Sequence, residues 1–266
     1  MKLALGQMPP MLFVLFRLIG SLALIVPALV AMRQPLLPVP GERLSLFWVG
    51  LLQVAGFLIC CSIGLQLLPA GRAIVFAYTM PLWAVPIGLF LWPERLAAME
   101  VAGVAIGFAG LLLFMNPGLV DWRDGRVVAG NALLLLSAIF WALGSCLYRR
   151  FSWRSSFWSQ TCWQLGVSIL PVLAIVPIGG AGGPIRWSPA LVAILAYNCI
   201  VTTALGYFLW SKVLSMMPAA TAGQVLTLTP VGGFVLSMLI FGGTPTLDVV
   251  ASIALIAGGI FVTLRR

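Results

Sequence analysis

Arg17 is the one basic residue that falls well inside an apolar stretch of this chain. A charge at mid-span costs about 2.5–3.5 kcal/mol on insertion scales, so it needs a use. It can bind an anionic group of a solute, snorkel toward the nearer surface, or hold a helix end through its carbonyls. Other polar side chains also sit in apolar runs. Tyr78 and Thr79 precede Pro81, while Gln224 and Thr227, three apart and so on one helical face, precede Pro230. Ser137, Trp141 and Ser145 recur at spacings of four, as do Asn198 and Thr202, and Gln53 and Gln164 are of the same kind. In a membrane helix such groups turn inward, where they hydrogen-bond either a ligand or another helix. Singly each fits packing as well as binding; together they mark a face turned toward a cavity.

The chemistry on offer is binding. Trp141 supplies an apolar, cation-attracting wall suited to amphipathic or aromatic solutes, or else a buried indole satisfied by a carbonyl. Pro81 and Pro230 each remove a backbone donor, making them hinges around a cavity or static kinks. Glu94, beside Arg95 in "LWPERL", can take up a proton or close a gate, or simply be solvated. There is no histidine, which removes imidazole bases, haem ligation and the usual zinc sites. Cys60, Cys61, Cys146, Cys162 and Cys199 lie in apolar runs without metal or disulfide spacing. No catalytic residue, cofactor or metal is expected.

The elements that carry these residues must cross a membrane. Hydrophobic residues make up 62% of the chain and charged residues 8%, with a mean hydropathy of +1.12, far from the soluble norm. Apolar runs long enough for a hydrocarbon core of about 30 Å lie near 11–31, 45–68, 71–92, 98–116, 128–148, 157–178, 190–211, 218–241 and 246–264. They predict an all-α, polytopic membrane protein with nine visible transmembrane helices. Continuous runs such as "NALLLLSAIFWALGSCLY" lack the alternation of a barrel.

The net charge of +9 is spread over short loops rather than gathered into a nucleic-acid-binding stripe. With the C-terminus cytoplasmic, Arg33, Arg43, Arg95, Arg149, Arg150, Arg154, Lys212, Arg265 and Arg266 share its side, and Lys2, Arg72, Arg123, Arg126 and Arg186 take the other. That bias has the sign of the positive-inside rule for a bacterial-type cytoplasmic membrane.

A constant spacing of 149 sets Pro69, Ala70, Ala73, Pro81, Val101, Ala102, Ala105 and Gly110 against identical residues at Pro218, Ala219, Ala222, Pro230, Val250, Ala251, Ala254 and Gly259. Duplication is the better reading of this register. Five spans in the second half against four in the first leave the first helix of the earlier unit largely missing. A unit of five spans puts its second copy upside down, which is a transporter pattern.

"GNALLLLSAIFWALGSCLYRRF", "ALGYFLWSKVLSMMPAATAGQVLTLTPVGGFVLSMLIFGG", "SIALIAGGIFV" and "LPAGRAIVFAYTMPLWAVPIGLFLWPERLAAMEVAGVAIGFAGLLLF" resemble the repeats of EamA-type transporters in the drug/metabolite transporter superfamily. The resemblance covers essentially the whole chain. It implies ten helices in two inverted five-helix repeats, here 1–118 and 128–266 joined by an interrepeat loop at 119–127, around a central solute cavity. Gly243 occupies the column of Glu94 in the second copy, a departure from the pattern.

The function expected is secondary transport, outward, of a small organic metabolite or drug-like solute by alternating access. The partners are that solute and membrane lipids, without nucleic acid. The small-residue pairs Gly103 and Gly107, or Ala254 and Gly258, could close a homodimer or pack within the chain. Two other readings stay open: a non-transporting scaffold or sensor derived from a transporter, and a membrane-embedded lipid-modifying enzyme, for which histidine and clustered acids are missing.

Overall fold

The computed structural model describes residues 2–67, 79–91, 98–115, 123–177, 184–217, 219–226, 232 and 247–264. Every described element is helical: α1 Lys2–Leu5, α2 Pro10–Ala31, α3 Pro40–Leu67, α4 Met80–Leu91, α5 Ala98–Met115, α6 Gly125–Arg149, α7 Phe157–Ile175, α8 Pro189–Met216, α9 Ala219–Leu226 and α10 Leu247–Leu264.

Local chemistry sets many of these bounds. Pro10, Pro40 and Pro189 open α2, α3 and α8, where the missing N–H would have had no partner in any case. Ser188, Ser156 and Asp124 cap α8, α7 and α6, accepting the N–H of Leu191 at 3.1 Å, Ser159 at 3.2 Å and Arg126 at 2.8 Å. α2 stops where Arg33 turns left-handed, with φ of 53°. The N–H groups of Gln34 and Arg33 then reach back to the carbonyls of Leu29 and Val30, at 2.9 and 3.0 Å.

The expectation of nine transmembrane helices, and of a ten-helix pair of inverted repeats behind them, is corrected by the structure. Among the described residues four helices are long and apolar enough to cross a membrane: α2, α3, α6 and α8. They coincide with the runs near 11–31, 45–68, 128–148 and 190–211. Elsewhere the described residues form shorter or less apolar helices. The described α4 has 12 residues, and the described apolar stretches Val101–Leu113 of α5 and Val250–Val262 of α10 each span about 20 Å at 1.5 Å per residue. α7 has length but carries Ser159, Gln160, Thr161, Gln164 and Ser168, all buried, which lower its hydropathy. Most of the run near 218–241 lies outside the described residues.

Repetition is plain in the element bounds. α3 and α8 each have 28 residues and begin 149 apart, and α5 and α10 each have 18 residues and begin 149 apart. A π-helical stretch interrupts both long helices, at Gly50–Gly56 in α3 and Asn198–Leu205 in α8.

The α5–α10 contact is made by backbone. A Cβ on Gly259 would stand 2.4 Å from the amide nitrogen of Gly107 and 2.5 Å from the carbonyl of Gly103; one on Gly110 would stand 2.8 Å from the amide nitrogen of Ile256. Gly103 and Gly107 are therefore covered by α10 of the same chain, while a Cβ on Gly258 would meet nothing within 4 Å.

Trp141 of α6 joins the two largest apolar clusters, one around Leu46, Val49, Ala138 and Leu214, the other around Leu18, Val54, Leu165 and Tyr207. Outside the apolar layer, Glu42 clasps the loop after α6: its carboxylate accepts the N–H of Arg154 at 2.6 Å and the hydroxyl of Ser155 at 2.5 Å.

Two neighbouring glycines test this packing with opposite signs. Gly259→Ala forces backbone apart and is expected to destabilise by about 1–3 kcal/mol. Gly258→Ala adds a methyl in open space and should stabilise by up to about 1 kcal/mol. Thermal midpoints of the two variants in detergent check both signs.

Candidate functional site

A π-helical turn bonds i to i+5 rather than i+4, so it loosens the backbone ladder and offers carbonyls to a neighbour. In hydrocarbon such a carbonyl must find a donor. Ser21 of α2 supplies one: its Oγ lies 2.8 Å from the carbonyl of Cys199 in α8 and 2.7 Å from that of Arg17, four residues before it. Ser168 of α7 makes the same joint, 3.0 Å from the carbonyl of Gly50 in α3 and 2.6 Å from that of Gln164. Cys199 and Gly50 are themselves 149 apart, and close approach is secured by small residues. A Cβ on Gly20 would meet Cys199 Sγ at 2.6 Å, and one on Gly50 would meet Val167 at 2.7 Å.

The side chains four residues before each serine differ. Arg17 is 8% exposed, and its Nε donates to Thr203 Oγ1 in the π stretch of α8. Gln164 is fully buried, and neither its Nε2 nor its Oε1 has a partner among the described residues. The difference has a register explanation: in α3 the place of Thr203, 149 residues earlier, is held by Val54.

Arg17 opens on a cavity of about 590 Å³, within the size range of small-molecule sites. Its wall is made by Arg17 of α2, Phe57, Leu58 and Cys61 of α3, and Ile194, Asn198 and Thr202 among the residues of α8. Asn198 Nδ2 donates to the carbonyl of Ile194 at 2.8 Å, and the Thr202 hydroxyl lies 3.0 Å from the Asn198 carbonyl and 3.2 Å from its Oδ1. Behind Phe57 stands Trp141, edge-on at 4.7 Å between ring centroids, with Tyr207 and Trp210 each 5.6 Å from it. Ser145 accepts from both Gln53 Nε2, at 2.7 Å, and Trp210 Nε1, at 3.1 Å. The Nε1–H of Trp141 is buried without a partner among the described residues.

Of the residues singled out from the sequence, the structure brings Arg17, Asn198 and Thr202 onto one cavity, with Trp141 one aromatic layer behind it. Ser137 donates to the carbonyl of Leu134 within its own helix. Thr79 is buried at a turn just before α4, and Pro81 is the second residue of that helix, whose interior proline is Pro86. Tyr78, Glu94, Thr227 and Pro230 lie outside the described residues, and Gln224 belongs to α9 with no side-chain description. Sequence reasoning missed Thr203, Ser21, Ser168 and Phe57. The first three are small hydroxyl residues whose partners are more than a hundred residues away.

Membrane-length apolar helices packed around a solute-sized cavity define a polytopic membrane transporter. The profile of the EamA-like transporter family matches residues 1–116 and again 128–265, and the chain belongs to that family. It is 24% identical, over 98% of its length and 89% of the other chain, to a protein of Bacillus subtilis (strain 168) named "Uncharacterized transporter YoaV". It is 27% identical, over 98% of its length and 87% of the other, to a "Probable amino-acid metabolite efflux pump" of Salmonella typhimurium. A crystal structure, 22% identical in sequence, superposes with a TM-score of 0.78 over 97% of this chain and 88% of that one, which shows a shared fold. The chain is thus a multi-pass membrane transporter of a small solute, and not an enzyme.

The unequal joints yield a double-mutant test. Val54→Thr should cost nothing or stabilise slightly, because Gln164 accepts or donates the new hydroxyl bond. The same change made on Gln164→Leu should destabilise, with a coupling of about 1 kcal/mol between the two sites read from unfolding midpoints.

Proposed function

We propose that the chain exports a small organic metabolite from the cytoplasm by alternating access, its two halves closing in turn on either side of the cavity at Arg17. The observation that carries this reading is the cavity itself. It is lined by α2, α3 and α8, next to π-helical stretches whose backbone can change its bonding without leaving a carbonyl bare. Asn198 belongs to the solute-facing set, backed by Trp141 through Phe57, and Tyr78, Thr79, Gln224 and Thr227 complete it. Pro81 and Pro230 are the hinges, and Glu94 with Arg95 is a gate. Outward direction accords with the efflux named for the Salmonella relative and for one of Escherichia coli, 26% identical over 90% of this chain. A cytoplasmic C-terminus follows from the distribution of Arg and Lys.

The experiment is flux through proteoliposomes preloaded with candidate metabolites. Ala193 is exposed in the cavity wall, so Ala193→Trp fills the space without touching a buried contact. Wild type should release solute down its gradient, and Ala193→Trp should slow release by at least about tenfold while melting as wild type does. Retention of every solute by both proteins would leave the scaffold reading in its place.

A further inference from the structure

We infer that the cavity at Arg17 is a receptor for an amphipathic monoanion, with one carboxylate held by the two Nη groups of Arg17 and an apolar body laid along Phe57, Leu58 and Ile194. The inference rests on the reading of this cavity as the solute site and deepens it to a substrate class. Arg17 is more than nine-tenths buried, its Nε donates to Thr203, and its Nη groups donate to no described residue. A guanidinium removed from water needs an acceptor of matching charge. Among the described residues the titratable side chains that act on it are Tyr207, Cys61 and Cys199, and none of these is a carboxylate. Glu42, at the opposite end of α3 from the cavity, spends both oxygens on Arg154 and Ser155.

The rest of the wall narrows the class. Asn198 and Thr202 turn their polar atoms onto their own helix, and no described acid lines the cavity. A zwitterion would leave its ammonium unpaired here, a cation would be repelled, and a neutral solute would leave the fork of Arg17 empty. A carboxylate matches that fork with two parallel bonds. Depth excludes a lipid headgroup as the source of the anion. Thr203 lies in the middle of the 28-residue α8, roughly 20 Å from either end, well below headgroup level.

The test uses the full chain in phosphatidylcholine nanodiscs, with 2-naphthoate as the probe and three size-matched competitors: neutral 2-naphthamide, cationic naphthylmethylammonium and zwitterionic naphthylalanine. Calorimetry should give naphthoate an affinity at least about tenfold above each of the three. Arg17→Gln should abolish that preference, lowering naphthoate affinity about 10- to 100-fold and leaving naphthamide unchanged, while Arg17→Lys keeps the charge but restores only part of it. Thr203→Val keeps Arg17 but releases its Nε, and should weaken naphthoate alone by a few-fold. If Arg17→Gln does not fold, the wild-type selectivity and Thr203→Val decide the matter.

Equal binding of naphthoate and naphthamide, or naphthoate affinity indifferent to both substitutions, overturns the inference. So does expulsion of naphthoate by phosphatidylglycerol in the disc, which would assign the site to a lipid phosphate. Flux of neutral or cationic solutes by a chain that ignores naphthoate would sink this inference and leave the transport reading standing. Selective naphthoate binding with no flux of any solute would do the reverse.

Discussion

In a hydrocarbon interior no backbone carbonyl can be left without a donor, and this structure meets that constraint at two points with a single hydroxyl each. Ser21 shares its proton between Cys199 and Arg17 carbonyls, and Ser168 shares its proton between those of Gly50 and Gln164. Each serine thereby ties a helix of one half of the chain to a π-helical stretch in the other. Much else follows from the joints. They require Gly20 and Gly50 at the crossing, because a side chain there would push the helices past hydrogen-bond reach. They also fix the register that brings Arg17 against Thr203, 186 residues away in sequence.

Between the joints the packing is carried by aromatic rings and by glycine. The place of a Cβ on Gly144 is filled by Gln53, 2.5 Å away at its own Cβ, so α6 lies directly on the π stretch of α3. That approach lets Gln53 and Trp210 share the Ser145 hydroxyl, and it stands Trp141 upright among Phe57, Tyr207 and Trp210. Through Phe57 this aromatic group reaches the cavity and backs one side of its wall. Arg17, the charged group among its described lining residues, is held by a described partner through Nε.

The class of protein was legible in the sequence because it depends on composition and on motifs that lie in continuous stretches. The number of crossings was not. An apolar run with polar residues scattered through it still reads as a span, yet the glutamines and serines of α7 lower its hydropathy and are buried in the structure. Of the site, Arg17, Asn198 and Thr202 could be found as polar residues in apolar runs, since hydrocarbon makes each of them expensive. Thr203 could not. Its neighbour Thr202 looks the same in sequence, and only the π-helical phase of α8 decides which of the two hydroxyls meets Arg17 and which turns back on Asn198. Phe57 was equally hidden, an apolar residue among apolar residues until the fold sets it between the cavity and Trp141.

The charge on the cavity also bears on direction. An empty site with Arg17 and no described acid is positive, and a site that has taken up a monoanion is neutral. A membrane potential does work of about 2.3 kcal/mol per elementary charge per 100 mV, and it acts only on the charged form. For the proposed export of a monoanion by alternating access, a negative cytoplasm would leave the loaded, neutral site free to turn outward and would draw the empty, positive site back in. Each full turn of such a cycle would carry one negative charge out of the cell, downhill in voltage. A carrier built in this way needs no buried acid and no histidine to favour export of an anion, and the chain, whose histidine count is zero, has none of the latter to offer.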